Sequence, residues 1–343
     1  MNRDLLERLI AGSDLRQDEA SRLLHALAGG EVEAAMAGAL LTALRIKGES
    51  ADEIRGFALA MRALAKRPVL PGSTDWVDIV GTGGDGSGSL NLSTGSALLA
   101  AAAGLAVVKH GNRSISSRSG SADALAALGL PMPLDELAAG RCLAATGFTF
   151  LFAPHYHPAM QHIAPVRQAL GVRTVFNVLG PLVNPAEPPF HVIGAASEKL
   201  ASLMAQTLAE MPIRRAFVIH GAAGWDEATP IGAFVCFDVS AGRVERSERD
   251  PLDFGFARCS EADLAGGEPT ENATRLALAL RGRDSEAHRH ALVIGAALAL
   301  EVAGRSTDFA AACERARRAI EDGSAGRLLD DIAEFAARES AAV

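Results

Sequence analysis

The chain has 343 residues, of which 49% are hydrophobic and 22% are charged, so it has enough apolar side chains for a sizeable core and is not an intrinsically disordered chain. Its formal net charge of −8 argues against a nucleic-acid-binding protein, because such proteins usually carry a surplus of basic residues. The longest apolar runs, Gly95 to Val108 and Ala291 to Leu300, are shorter than the roughly 20 residues that a membrane-spanning helix needs.

The N-terminal segment and the cysteines both favour a cytoplasmic location. Residues 1–15 carry charges from the start and lack the apolar core of a secretion signal. The four cysteines are far apart and form no CxxC pair, so we expect reduced and mostly buried thiols. They are Cys142, Cys236, Cys259 and Cys313.

The first part of the sequence predicts helices over residues 4–67, because leucines recur there at helical spacing. Ser50 and Glu53 stand at the two positions of a capping box, which predicts the start of one of these helices. The run from Arg67 to Gly72 contains two prolines and favours a linker. Residues 165–190 are predicted as helix and turn, and we expect them to rejoin the N-terminal helices.

After the linker the pattern changes to short strands that alternate with helices. Strands are predicted at residues 77–80, 105–108, 192–195, 216–220 and 235–239. Helices are predicted at 95–103 and over much of 285–335. Such alternation is typical of a mostly parallel sheet covered by helices on both faces, with ligands bound beyond the carboxyl ends of the strands.

The prediction is therefore an α/β protein in two domains. The smaller domain is all-helical and comprises residues 1–70 together with about 165–190. The larger α/β domain has a mostly parallel central sheet flanked by helices and comprises residues 71–164 and 191–343.

The first polar loop, Gly81 to Gly86, directly follows a predicted strand and reads GTGGDG. Its glycines allow an anion to approach the backbone N–H groups. The same letters satisfy the dinucleotide-binding pattern, which also requires an acidic residue about twenty positions later. Residues 107–110 are basic instead, and the Gly-Lys-Ser/Thr of a P-loop is missing. The loop therefore predicts a phosphate cradle.

Two further segments predict anion binding. Asn91 to Gly95 leads into the alanine-rich helix, where free N–H groups and hydroxyls can bind a phosphate or its metal ion, although ordinary helix capping is an alternative. Lys109 to Gly120 follows the next strand and combines cations, hydroxyls and glycines with almost no apolar residue. This composition favours a pyrophosphate-binding loop.

Two weaker signals come later in the chain. Arg167, in a largely apolar stretch punctuated by prolines, is suited to a carboxylate ligand, with a structural salt bridge as the alternative. Asp226 and Glu227 are adjacent carboxylates after a predicted strand, and such a pair can hold Mg²⁺, although acidic pairs are common on loops. His155, His157 and His162 lack a fourth ligand at suitable spacing, so a zinc site is not predicted.

Taken together, these motifs resemble the anthranilate phosphoribosyltransferases, and the likeness runs from residue 47 to the C-terminal helices. The matching segments are 81–86, 91–94, 109–117, 152–154, 156–157, 165–167, 173–185, 226–227 and 271–273. The resemblance implies transfer of a phosphoribosyl group from phosphoribosyl pyrophosphate to the amine of anthranilate, a step of tryptophan biosynthesis. It also implies Mg²⁺ as cofactor and a homodimer formed through the helical domain.

The resemblance assigns site residues as well. The phosphoribosyl pyrophosphate site is assigned Gly81, Gly84, Asp85, Ser89, Asn91, Leu92, Ser93, Thr94, Lys109, His110, Gly111, Asn112, Arg113, Ser114, Ile115, Ser116, Ser117 and Ser121. The anthranilate site is assigned Gly81, His110, Asn112, Tyr156 and Arg167. Mg²⁺ is assigned Ser93, Asp226 and Glu227. No residue is assigned as a general base.

Three alternative functions stay open at this point. The first is a phosphoribosyltransferase of the same family that acts on a related aromatic amine. The second is a pyrimidine nucleoside phosphorylase, which we expect to lack the Asp226-Glu227 pair and Arg167. The third is a non-catalytic paralogue that binds nucleic acid, which we expect to carry a basic surface.

Overall fold

The computed structural model of the chain describes residues 2–72, 75–113 and 118–341. Its N-terminal part folds into four helices that pack through their apolar faces. These helices are α1 (Asn2–Ile10), α2 (Gln17–Ala28), α3 (Ala34–Lys47) and α4 (Ala51–Leu64).

The capping box predicted before α4 is confirmed. The Ser50 hydroxyl accepts a hydrogen bond from the backbone N–H of Glu53 at 3.3 Å, and the Glu53 carboxylate accepts one from the N–H of Ser50 at 2.8 Å. Glu53 is fully buried and also accepts from the N–H of Leu15 and pairs with Lys47. The cap therefore also ties the start of α4 to the segment between α1 and α2.

The larger part of the chain is built on one sheet, in which the described residues form seven strands. They are β1 (Trp76–Gly81), β2 (Ala106–Gly111), β3 (Phe148–Phe152), β4 (Phe190–Gly194), β5 (Arg215–His220), β6 (Phe234–Ser240) and β7 (Arg243–Arg249). Their order across the sheet is β3-β2-β1-β4-β5-β6-β7. The first five strands in this order are parallel, and β6 and β7 are antiparallel.

Eleven further helices follow α4 in the described residues, and some of them cover both faces of this sheet. They are α5 (Leu92–Ala102), α6 (Ser121–Ala127), α7 (Glu136–Thr146), α8 (Ala153–Tyr156), α9 (Ala164–Leu170), α10 (Phe176–Leu179), α11 (Glu198–Ala209), α12 (Pro269–Leu280), α13 (Glu286–Val302), α14 (Phe309–Glu321) and α15 (Ser324–Ala341). Short 3₁₀ helices lie at Pro158–His162, Gly180–Leu182, Ala222–Gly224, Pro251–Phe254 and Glu261–Leu264. The predicted fold class, a small helical domain with a larger and mostly parallel α/β domain, is confirmed.

Side chains that alternate along the strands build two hydrophobic cores. In β5, Phe217 points into a core with α5 and the C-terminal helices, whereas Val218 points into a core with α11 and the N-terminal helices. Phe176 of α10 joins the second core and makes an edge contact with Phe57 of α4, with ring centroids 6.1 Å apart. Part of the segment 165–190 therefore packs on the N-terminal helices, and the predicted domain boundaries stay a prediction.

The sheet differs from the prediction at its two edges. Strand β3 was not predicted, because a single residue separates it from α7. That residue is Gly147, which has a φ of 70° and ends the helix. Strand β7 was not predicted either, because its residues are nearly all polar and exposed and give no apolar periodicity. The other five strands are confirmed, with ends displaced by up to three residues.

Two further expectations concern the whole chain. Three of the cysteines are buried, Cys259 is half-buried, and none of the four is bonded to another, as the spacing predicts. Within the described ranges, no helix is both long enough and apolar enough to span a membrane.

Candidate active site

The glycine loop lies where the strand order reverses. From β1 the chain moves outward through β2 and β3, and it then returns to place β4 on the other side of β1. Crevices at such switch points are the usual ligand sites of open α/β sheets. Gly83 and Gly84 have φ of 66° and 71°, which lets the loop curl back over the carboxyl end of β1.

Asp226 and Glu227 lie across the ends of three neighbouring strands. A Cβ atom at Gly81 would overlap the Asp226 carboxylate, and Cβ atoms at Gly194 and Gly221 would overlap the backbone carbonyls of Asp226 and Glu227. Each strand end therefore carries glycine where the acidic segment crosses it.

Hydrogen bonds join this acidic pair to both predicted phosphate-binding segments. The Asp226 carboxylate accepts from the N–H of Gly83 at 2.7 Å. The Glu227 carboxylate accepts from the N–H of Ser93 at 3.1 Å and from the Ser89 hydroxyl at 3.2 Å. The structure thus brings the acidic pair to two motifs that lie more than 130 residues before it in the sequence.

The carboxylates at this site carry unfavourable charge. Burial, with repulsion from Asp85 as the second cause, raises the pKa of Asp226 to about 7. The pKa of Glu227 is raised well above its ordinary value by burial and then by the charges of Asp226 and Asp85. A cation relieves such repulsion, and oxygen ligands from carboxylates and hydroxyls suit Mg²⁺.

The described residues do not enclose an ion by themselves. In the parts of the chain that the structure describes, no three carboxylate, imidazole or thiol groups are placed to hold a metal ion. Mg²⁺ usually binds through one or two carboxylates, with substrate phosphates and water completing its shell. The donor set of Asp226, Glu227 and the hydroxyl of Ser93 fits that mode of binding.

Lys109 supplies a buried cation at the end of β2. Its ammonium donates to the carbonyl of Ile79 and, at 3.3 Å, to the hydroxyl of Ser93. Burial lowers the pKa of Lys109 to about 8, against the opposing effect of the carboxylates of Asp78 and Glu227. The cation and the acidic pair therefore share Ser93, which lies in the first turn of α5.

Asp78, which the sequence did not indicate, and Asn184, which it marked only as part of the segment 173–185, fix the end of β2. The buried Asp78 carboxylate accepts from the N–H of His110 at 3.3 Å and from the side chain of Asn184 at 2.8 Å. The His110 ring contacts the carbonyl of Gly180 at 3.1 Å. Burial lowers the pKa of His110 to about 3, so the ring is neutral at neutral pH.

The remaining residues assigned to the phosphate site lie around this centre. Leu92 and Thr94 are buried in the first turn of α5, and Gly111 ends β2. Arg113 pairs with Asp123 at 3.1 Å, and Ser121 begins α6. Ser114, Ile115, Ser116 and Ser117 lie outside the described residues.

The residues assigned to the aromatic acid differ in their contacts. Arg167 lies on α9 with its guanidinium 5.4 Å from the ring centroid of Phe176, and no ion pair or hydrogen bond to that guanidinium is found among the described residues. Tyr156 is fully buried, and its hydroxyl lies 3.1 Å from the carbonyls of both Leu134 and Asp135.

Arg173 links the helical part of the chain to the glycine loop. Its guanidinium donates to the carbonyl of Gly84 at 2.7 Å, while its own carbonyl accepts from Arg45 of α3 at 2.7 Å. A Cβ atom at Gly84 would overlap this guanidinium. The sequence marked Arg173 only as part of a motif, with no contact assigned to it.

Comparison with known proteins identifies the family. Residues 3–65 match the model of the glycosyl transferase family, helical bundle domain, and residues 73–326 match that of the glycosyl transferase family, a/b domain. The anthranilate phosphoribosyltransferase of Desulforudis audaxviator (strain MP104C) is 44% identical over 339 residues, which cover 98% of this chain and 97% of the relative.

Solved structures agree with this result. The anthranilate phosphoribosyltransferase (TrpD) of Thermus thermophilus superposes with a TM-score of 0.90 at 40% identity, over 97% of this chain and 99% of that one. The Saccharomyces cerevisiae enzyme in complex with PRPP and Mg gives a TM-score of 0.89 at 26% identity, with 98% of both chains covered. The chain belongs to the glycosyl transferase family and, within it, to the anthranilate phosphoribosyltransferases.

Proposed function

We propose that this protein transfers the phosphoribosyl group of phosphoribosyl pyrophosphate to the amine of anthranilate, with release of pyrophosphate, as a step of tryptophan biosynthesis. The observation that carries the proposal is the convergence of the glycine loop, the first turn of α5 and the Asp226-Glu227 pair at the switch point of the sheet. This arrangement would bring oxygen ligands for Mg²⁺ together with a glycine loop and a helix N-terminus, two kinds of segment that bind phosphate.

The polyphosphate substrate would bind along this crevice. The loop Gly81–Asp85 and the segment Ser89–Thr94 would supply N–H groups and hydroxyls, and Lys109, which is bonded to Ser93, would supply a cation. The resemblance also assigns the loop Lys109–Ser117 and Ser121 to the ribose and the pyrophosphate, with residues 114–117 outside the described ranges. Mg²⁺ bound to Ser93, Asp226 and Glu227 would neutralise charge on the leaving pyrophosphate.

Anthranilate would bind between this crevice and α9. Arg167 is suited to its carboxylate, because the guanidinium stacks on Phe176 and its hydrogen-bond donors have no acceptor among the described residues. Asn112, Gly81 and the neutral ring of His110 would line the same space. Tyr156 stays an assignment by resemblance, and its hydroxyl is already bound to backbone carbonyls.

The chemistry needs charge stabilisation more than proton transfer. Departure of pyrophosphate leaves oxocarbenium character on the ribose, and preorganised cations and N–H groups stabilise the negative charge that develops on the leaving group. No general base is needed for attack, because an aromatic amine becomes acidic once its nitrogen bonds to C1. Positioning of the two substrates supplies much of the remaining rate enhancement.

The proposal includes a homodimer formed through the helical domain in the cytoplasm. Ile10 of α1 and Ile46 of α3 are 71% and 81% exposed, and these two helices pack against each other. Large exposed side chains on adjacent helices support an interface there. Replacement of both isoleucines by glutamate should yield monomers in sedimentation analysis, and an unchanged sedimentation coefficient would argue against this surface.

Removal of the carboxylate charges tests the metal assignment. Asp226→Asn with Glu227→Gln keeps the shape of the site and should cause a large loss of turnover that higher Mg²⁺ partly restores. The matched control, Glu245→Gln with Glu248→Gln on the exposed strand β7, should stay active. Calorimetry of phosphoribosyl pyrophosphate binding with and without Mg²⁺ provides a second readout. Full activity of the site variant at low Mg²⁺ would refute the assignment.

A further inference from the structure

Asn272, in the first turns of α12, has a buried side-chain amide that is hydrogen-bonded at both ends. Only 2% of this residue is exposed. Its oxygen accepts from the backbone N–H of Gly267 at 2.7 Å. Its nitrogen donates to the side-chain oxygen of Asn91 at 2.9 Å, across 181 residues of sequence. Asn272 therefore connects the C-terminal half of the chain to a residue assigned to the phosphoribosyl pyrophosphate site.

Asn91 is in turn bonded to Ser119. The side-chain oxygen of Asn91 also accepts from the Ser119 hydroxyl at 3.0 Å, and its side-chain nitrogen donates to the Ser119 carbonyl at 3.0 Å. Asn91 immediately precedes α5, and Ser119 lies in the basic loop that follows β2. The three side chains thus join two substrate-binding segments to α12.

Backbone groups at the two ends of this network fix the orientation of both amides. The N–H of Gly267 can only donate, so it must face the oxygen of Asn272 and leave the nitrogen towards Asn91. The carbonyl of Ser119 can only accept, so it must face the nitrogen of Asn91. Reversal of the Asn272 amide would place like groups against each other at both of its contacts, and reversal of the Asn91 amide would do so at its contacts with Asn272 and with the Ser119 carbonyl.

The fixed orientation decides what Asn91 can offer a ligand. Both lone pairs of its oxygen are occupied, by Asn272 and by Ser119. One of its two N–H donors is used for the Ser119 carbonyl, and the second meets no acceptor among the residues that the structure describes. Asn91 can therefore contact a substrate only as a hydrogen-bond donor, which suits a phosphate or ribose oxygen.

A backbone contact holds the same region in place. The N–H of Leu90 donates to the carbonyl of Leu264 at 2.9 Å, and the N–H of Gly266 donates to the carbonyl of Gly88 at 2.8 Å. A Cβ atom at Gly266 would lie 2.5 Å from the carbonyl oxygen of Ser89. Residues 264–267 therefore brace the segment that leads into Asn91, and Asn272 extends the brace to its side chain.

We propose that Asn272 is a positioning residue for phosphoribosyl transfer: it holds the Asn91 amide so that its nitrogen donates to an oxygen of phosphoribosyl pyrophosphate. The inference rests on the proposed function, since it needs Asn91 in the phosphoribosyl pyrophosphate site. Asn272 itself touches Gly267 and Asn91 and acts through the latter.

Asn272→Asp tests the orientation at nearly constant volume. The introduced carboxylate still accepts from Gly267 but turns an acceptor towards the oxygen of Asn91 and repels it, while the Ser119 carbonyl still opposes reversal of the Asn91 amide. The Asn91 nitrogen would then no longer be held in place to donate to the substrate. We expect the KM for phosphoribosyl pyrophosphate to rise by about tenfold or more. The KM for anthranilate and kcat should change little, because the lost contact is made in ground and transition states alike.

The charge control is Thr270→Asp, which adds a carboxylate to the exposed first turn of the same helix. It should leave both KM values near those of the parent. Thermal unfolding shows whether each variant is folded. If Asn272→Asp is not, Asn272→Ser provides a smaller perturbation, with the same expected rise in the KM for phosphoribosyl pyrophosphate.

A double-mutant cycle separates positioning from a structural effect. Asn91→Ala should raise the KM for phosphoribosyl pyrophosphate, and addition of Asn272→Asp to that variant should raise it little further. Independent, multiplicative effects would overturn the proposal, as would a normal KM in Asn272→Asp. An active parent enzyme with these negative results refutes the positioning role alone, whereas an inactive parent refutes the proposed function.

Discussion

Replacement of Arg167 by alanine should separate recognition of the two substrates. The Arg167 guanidinium stacks on Phe176 and has no acidic partner among the described residues, so the substrate carboxylate would be its main counter-charge. Burial lowers the pKa of Arg167 from its ordinary value, which a bound anion would offset. A hydrogen bond to a charged group contributes about 1.5–3 kcal/mol, so the KM for anthranilate should rise on the order of ten- to hundredfold.

The assay is steady-state kinetics with each substrate varied in turn. The KM for phosphoribosyl pyrophosphate should change little, and Arg167→Lys should restore only part of the loss, because an ammonium cannot form the bidentate contact. Gln168→Ala, at the next and exposed position of α9, is the matched control and should behave as the parent. A rise confined to the KM for phosphoribosyl pyrophosphate would move Arg167 to the phosphate site, and no change in either KM would make it structural.

Three further predictions concern the acidic pair, the glycine loop and a helix cap. Because the folded-state pKa of Asp226 is raised to about 7, ionisation of this group makes the wild type less stable as the pH rises from about 4 to 7. Asp226→Asn carries no such charge, so without Mg²⁺ its advantage in thermal unfolding should grow over the same pH range. A constant difference would contradict this. Gly84→Ala should weaken calorimetric binding of phosphoribosyl pyrophosphate more than Gly83→Ala, since both have positive φ but only the former displaces Arg173; equal losses would argue against that role. Ser50→Ala should cost about 1 kcal/mol of unfolding free energy and leave both KM values unchanged, whereas altered kinetics would show that the cap affects the site.

The fold was largely predictable because its signals are local. The apolar strands β1, β2, β4 and β5 stand between helical segments, and the glycines and prolines mark the boundaries. Edge strand β7 was not predicted, because an exposed strand needs no apolar face. Strand β3 was not predicted, because it follows its helix without a polar loop between them. Neither omission changes the parallel centre of the sheet, where the site lies.

The site was predictable only as separate motifs. The glycine loop and the acidic pair were identified by composition, and the resemblance supplied their roles. Contacts such as Arg173 with Gly84 or Asn272 with Asn91 join residues 89 and 181 positions apart, and no local pattern indicates them. One residue does mark the approach of the acidic segment. Gly194 ends β4 at the point where this segment passes close to the backbone.

The most direct measurement of the central proposal is the loss of anthranilate fluorescence on mixing the protein with anthranilate, phosphoribosyl pyrophosphate and Mg²⁺. The loss should require all three additions and should be matched by one pyrophosphate released for each anthranilate consumed. Stable fluorescence with Mg²⁺-independent phosphorolysis of pyrimidine nucleosides would contradict the proposal and assign the chain to the related phosphorylase activity.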